Sequence, residues 1–165
     1  MLFRSDKNTI DNFLKDKEID IIIHTAIHGG RRTKEEGFEI VYNNLLMWEN
    51  LVNSAEKIGV KCIINIGSGA AFDRQRDIKI AKEEELNNNV PKDFYGFSKF
   101  LIEKDISNRK TNIRLINLRV FNIFSPEELS DRFIKGSINK CKNNEDLVIF
   151  KNIFFDFFKI GRAHV

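Results

Sequence analysis

Apolar residues recur along this chain in two rhythms, short continuous runs and longer stripes at helical spacing. Ile19-Asp20-Ile21-Ile22-Ile23-His24, Val60-Lys61-Cys62-Ile63-Ile64-Asn65-Ile66 and Ile113-Arg114-Leu115-Ile116-Asn117-Leu118-Arg119-Val120-Phe121 are nearly unbroken and rich in β-branched residues. Such runs predict strands buried on both faces. Between the first two, Phe38, Val41, Leu45, Trp48, Val52 and Ala55 alternate steps of three and four, and Ile40, Tyr42, Leu46, Leu51 and Ile58 widen the stripe. The spacing predicts a helix that opens at the capping box Thr33-Lys34-Glu35-Glu36 and closes at Lys57, with Gly59 just beyond. Between the second and third runs, Phe94, Phe97, Leu101 and Ile102 predict a helix over 94–107, its first turn capped by the Asp93 carboxylate. Ile10, Phe13 and Leu14 predict a short helix within 9–17. Strand, helix, strand, helix, strand implies right-handed crossovers and a parallel sheet covered by helices, an α/β fold. After Pro126 the pattern changes. Leu129, Phe133, Ile138 and Cys141 mark another helix, followed by strand-like runs over 147–150 and 153–158.

Composition narrows the function classes. The chain has 165 residues, 42% of them hydrophobic and 31% charged, which suits one globular domain with a real core. Its net charge of +3 is dispersed, with no basic arm or stripe to follow a nucleic acid. No apolar run reaches membrane-spanning length and no signal-peptide pattern opens the chain, so a cytoplasmic protein is expected. Cys62 and Cys141 read as thiols rather than a disulfide or metal pair. His24 and His28 straddle a strand end and a loop, so no metal site is expected either.

Ligands of open α/β sheets sit beyond the carboxyl ends of the strands. Three loops meet there: Thr25 to Gly30, Gly67 to Phe72 and Phe121 to Pro126. The helix from Phe94 begins near the same edge, after a polar connection of roughly two dozen residues, long enough to suggest function. On that helix Tyr95 and Lys99 are four apart and share a face. A phenol beside a fixed ammonium gives up its proton more readily, which suits acid/base work on a carbonyl or alcohol. Alone, the pair is also what an ordinary amphipathic helix carries. Ser68, one strand away and flanked by small residues, makes the constellation more specific.

The motifs Asp20-Ile21-Ile22-Ile23-His24-Thr25-Ala26, Gly29-Gly30, Asn44 with Asn50, Gly67-Ser68, Tyr95-Gly96-Phe97-Ser98-Lys99 and Leu118 to Pro126 resemble, in order and spacing, the extended short-chain dehydrogenase/reductase superfamily of nucleotide-sugar epimerases and reductases. Gly29-Gly30 and the run Val41 to Asn50 look most like GDP-L-fucose synthases. The resemblance implies a Rossmann-like doubly wound sheet, NAD or NADP as cofactor, a nucleotide-diphosphate sugar as substrate, and a homodimer through helices 34–58 and 94–107. Carried onto these positions, it makes Tyr95 the acid/base, with Lys99 assisting it and bonding the nicotinamide ribose. Ser68 would bond the reacting sugar oxygen. Thr25, Ala26 and Phe121 would line the cofactor, Asn44 would hold the loops and a relay water, and Asn122 would reach the sugar-nucleotide diphosphate.

Departures qualify the resemblance. Ala70 and Glu127 stand where GDP-L-fucose synthases carry a Cys and a His for epimerisation, and Gly69-Ala70 replaces the Asp-Glu pair of 4,6-dehydratases. Hydride chemistry remains, as in a 4-keto reductase or 4-epimerase. Ser125 stands in place of a Gly before Pro126. The glycine-rich turn Gly-x-x-Gly-x-x-Gly, which cradles pyrophosphate at a helix N-terminus, does not occur in the sequence. The chain therefore reads as a fragment: residues 1–121 the second half of the dinucleotide domain, lacking the first βαβαβ portion, and 122–159 the start of a substrate region. Ile160-Gly161-Arg162-Ala163-His164-Val165 reads like a translated sequencing-adapter oligonucleotide and is set aside. Two other readings are a non-catalytic remnant or interaction module of the same fold, and a sugar-nucleotide sensor.

Overall fold

A computed structural model describes residues 6–30, 37–73, 82–88, 90–149 and 158–159. They belong to two compact units, one ending at Arg119 and one beginning at Val120. The first unit opens with α1 (Lys7–Leu14), which starts earlier than the apolar spacing suggests because Asp6 caps it, accepting the Asn8 amide. β1 (Ile21–His24) follows and pairs in parallel with β2 (Cys62–Ser68), Ile21 opposite Cys62 and His24 opposite Asn65. β3 (Arg114–Val120) lies on the far side of β2, completing a parallel, Rossmann-like sheet of order β1-β2-β3.

Parallel neighbours need crossovers, and α2 (Glu39–Ile58) and α3 (Phe94–Asn108) supply them. The strands run in chain order, so both crossovers step the same way and both helices lie on one face. There Trp48, Val52 and Ala55 of α2, Ile102 of α3, Ile63 of β2 and Ile113 form the core, with Ile22, Leu45, Ile106 and Leu115 packed around it. A second cluster, Ala71, Phe72, Leu86 and Phe100, holds the connection between β2 and α3 against α3.

The expectation that β1 is buried on both faces is corrected. Ile22 and His24 point inward, but Ile21 and Ile23 are 57% and 62% exposed, and Leu118 of β3 is also open. An apolar run records a strand's tolerance for burial; only the helices present decide which face is covered.

Element ends shift as well. α2 begins at Glu39, preceded by Gly37 and by Phe38 in helical conformation without a side-chain cap; the expected capping box at 33–36 lies outside the described residues. Gly37 donates its amide to Glu39, which stands in for a cap. β2 runs two residues further than the apolar run, so that Ser68 is its last residue. In the second unit β4 (Ile123–Phe124) pairs in parallel with β5 (Phe158–Lys159), and α4 (Phe133–Lys142) has no buried residue. Residues 145–149 form no strand, because after the turn at Asn144 no described strand lies beside them to take their backbone hydrogen bonds. The remainder of the expected runs over 147–150 and 153–158, and the tail 160–165, lie outside the described residues except for Phe158.

Replacing Ile102 by Ala in the core should lower the unfolding free energy by about 2–5 kcal/mol. Replacing Ile21 by Thr on the open face should change it by about 0.5 kcal/mol or less. Urea denaturation of both variants checks the difference.

Candidate functional site

The carboxyl edge of the sheet gathers the expected residues from three directions. Thr25 and Ala26 follow β1 directly; Thr25 is exposed and Ala26 half-buried. Ser68 ends β2, and its hydroxyl oxygen accepts the Ala70 amide at 3.1 Å, starting a 3₁₀ turn over Gly69–Ala71. That bond uses one lone pair of the oxygen and leaves the hydroxyl hydrogen to donate elsewhere.

α3 enters beside this turn. Asp93 accepts the Gly96 amide at 2.8 Å, as the sequence leads one to expect of a capping aspartate. Gly96 presses on the turn after Ser68: a Cβ there would lie 2.5 Å from the Ala70 carbonyl oxygen. Only glycine allows this approach, and it brings the turn of Ser68 against the turn of Tyr95. One turn on, Lys99 is buried and its Nζ donates to the Ile66 carbonyl at 2.7 Å, two residues before Ser68. Burial lowers the ammonium's pKa to about 8. Ser68, Tyr95 and Lys99 thus sit on elements in direct contact.

Asn44, on α2, is 1% exposed. Its side-chain oxygen accepts the His28 amide at 2.8 Å, and its nitrogen donates to the His28 carbonyl and the Ser98 hydroxyl, each at 3.0 Å. Ser98 in turn donates to the Tyr95 carbonyl at 2.8 Å. Both donors of Asn44 are spent on the chain itself, so it fastens the loop after β1 to α3.

Beneath the site a polar ladder crosses the sheet. His24 Nδ1 lies 3.0 Å from the Asn65 side-chain oxygen, and Asn65 donates to Asn117 at 2.7 Å. Gly67 makes room for the Asn117 amide, 2.7 Å from where a Cβ would be. Further along α3, Glu103 pairs with Arg119 of β3, which also bonds Glu83 and stacks over the Phe72 ring at 4.9 Å, holding the connection back against the helix. Phe121, which is exposed, and Asn122 belong to the second unit, just before β4.

Asn65 and Asn117 were not singled out by motif reasoning, and Gly96 and Ser98, though inside the Tyr95 to Lys99 motif, were given no role. Ser98 had a usable signal: it is a polar residue in the apolar stripe of α3, and a buried hydroxyl needs a partner. The Asn65–Asn117 pairing had none, since register between separate strands is not written locally.

Lys99 makes stability depend on pH in a definite sense. Between its lowered pKa of about 8 and the ordinary 10.5, the unfolded chain holds a proton that the folded chain has released. Stability owed to this side chain therefore rises with pH across that window. The difference in unfolding free energy between wild type and Lys99→Met, measured in urea from pH 7.5 to 10, should grow in favour of wild type; a flat difference contradicts the burial of this amine.

Solved structures share this fold. A GDP-L-fucose synthetase from Naegleria fowleri bound to NADP superposes with a TM-score of 0.66 at 20% identity, over 94% of this chain and 56% of that one. A UDP-N-acetylglucosamine 4-epimerase from Bacillus cereus gives 0.75 at 21% identity, over 94% and 52%. A GDP-mannoheptose C4 reductase from Campylobacter jejuni with NADP bound gives 0.64 at 19% identity, over 74% and 41%. The chain thus spans about half the length of these proteins, and at such identities the likeness is one of fold. No curated protein sequence matches it. The profile of the NAD dependent epimerase/dehydratase family matches residues 4–154, and the chain belongs to that family.

Proposed function

We propose that this chain carries the acid/base centre of an NAD(P)-dependent nucleotide-sugar 4-keto reductase or 4-epimerase. The observation that supports the reading best is the contact between the turn of Ser68 and the first turn of α3, with Lys99 anchored on the same strand. Tyr95 would exchange a proton with the sugar oxygen at the reacting carbon, and the Ser68 hydroxyl, its oxygen already held by Ala70, would donate its hydrogen to that same oxygen. The ammonium of Lys99 has three N–H groups and gives one to Ile66, so two suit ribose hydroxyls while its charge favours the phenolate of Tyr95.

NAD or NADP, when bound, supplies hydride exchange at the sugar carbon. The residues present suit its nicotinamide riboside half: the exposed Thr25 follows β1, and Lys99 of α3 places its donor near the end of the adjacent β2. Asn44 serves by holding the loop that carries Thr25 and Ala26. Phe121 beside the nicotinamide and Asn122 on the substrate diphosphate complete the assignment, and a second copy against α2 and α3 would make the homodimer. Ala70 is buried and offers no proton-transfer group, which favours plain hydride chemistry over epimerisation beside a ketone.

In the whole protein, Tyr95→Phe should lower turnover of nucleotide-4-keto-6-deoxysugars with NADPH or NADH by about 10²–10⁴-fold. Unchanged turnover, or no cofactor oxidation by wild type across such substrates, overturns the reading. Calorimetric titration of this chain with NADH and NADPH tests the competing interaction module, which micromolar binding would exclude.

A further inference from the structure

Gly29 and Gly30, consecutive residues of the loop after β1, both hold positive φ, +82° and +80°. They face different neighbours. A Cβ at Gly29 would lie 2.5 Å from Ile40 Cδ1 of α2; at Gly30 it would lie 2.9 Å from Tyr95 Cε2, 3.1 Å from Cδ2 and 3.4 Å from Cζ. The bare Cα of Gly30 is thus a surface against the edge of the Tyr95 ring.

The loop holding this surface is fixed by the residues that fix the tyrosine's main chain. Asn44 grips the His28 backbone at both its amide and its carbonyl, and the same side chain bonds Ser98, which bonds the Tyr95 carbonyl. Asn44 and Ser98 are 1% and 0% exposed, so water does not compete for these bonds. The circuit closes on itself: loop backbone, Asn44, Ser98, Tyr95 main chain, Tyr95 ring, Gly30. The last link matters because the ring torsion of tyrosine is broad and is set by what the ring touches.

We propose that Gly30 is a positioning residue for Tyr95, its missing side chain forming the seat that sets the ring's tilt and so the place of its hydroxyl. The catalytic meaning of that placement rests on the role given to Tyr95 under the proposed function. A methyl on Gly30 must move the ring by about 0.5 Å or more to restore ordinary contact, and displacements of this order at a reacting group cost up to about 10²-fold in rate.

The chain has two tyrosines, and Tyr42 is 60% exposed on α2. In a Tyr42→Phe background, 3-fluorotyrosine labelling gives a fluorine resonance from position 95 alone, with no substrate or cofactor needed. Gly30→Ala should shift that resonance. Gly29→Ala, which puts the same methyl in the same loop at a similar φ but against Ile40, should leave it in place. Ser98→Ala, which opens the other end of the circuit without adding bulk, should shift it too and keeps the test informative if Gly30→Ala does not fold. An unmoved resonance in the folded Gly30→Ala protein, or equal shifts from Gly29→Ala and Gly30→Ala, overturns the proposal. In the whole protein, Gly30→Ala should lower kcat by about 10- to 100-fold with KM little changed, and should cost nothing more on top of Tyr95→Phe. A shifted resonance together with full turnover in Tyr95→Phe leaves the seat standing and removes the acid/base role instead.

Discussion

Asn44 is a polar amide in the middle of an apolar helix stripe, and the shape of the site depends on how that amide is satisfied. Left without partners in the core, each of its groups would cost about 1–3 kcal/mol. The chain answers by bringing the loop after β1 and the hydroxyl of Ser98 to it. Hydrophobic packing of α2 on α3 tolerates small slides, because apolar contact has no direction. A buried amide with three directed bonds does not, so the polar joint fixes the register that packing leaves loose.

The same division of labour recurs along the two helices. At the end away from the site, Trp48 donates to Asp105 at 2.7 Å, and Arg109 bonds both Asp105 and Glu49, tying α2 to α3 where neither faces the sheet edge. Those charges are partly open to water and contribute modestly. Arg119 with Glu103 is enclosed, and the cost of desolvating both charges offsets much of their attraction. Lys99 is the extreme case. Desolvation makes its charge expensive, and the strand carbonyl it meets compensates only in part, so stability has been given up to keep an amine at that spot.

How much of this was legible in the sequence depended on whether the information was local. The alternation of apolar runs and stripes disclosed β1, α2, β2, α3 and β3, because burial writes its period directly into a chain. The α3 start was legible at Asp93, whose capping bond spans three residues. The start of α2 was not, because Gly37 interrupts the stretch that the capping-box residues suggested would be helical. The open face of β1 was illegible for a different reason: Ile21 and Ile23 suit burial whether or not anything covers them. Tyr95, Lys99 and Ser68 could be named from motif order, yet the elements that join them, Gly96 on Ala70 and Asn44 on Ser98, are contacts between distant positions. Their only trace was a glycine and two polar residues where apolar ones would have served.

The uncovered face of the sheet carries a consequence of its own. Ile21, Ile23 and Leu118 present a wet apolar surface on the face of the sheet away from Ile63 and the helices packed on it. Anything that rests there recognises the folded sheet and finds no counterpart on the unfolded chain, so by mass action its binding energy is added to that of folding. Were a partner to rest there, the melting point of this unit would rise with that partner's concentration, and a value measured without it would mark the lower end of the range.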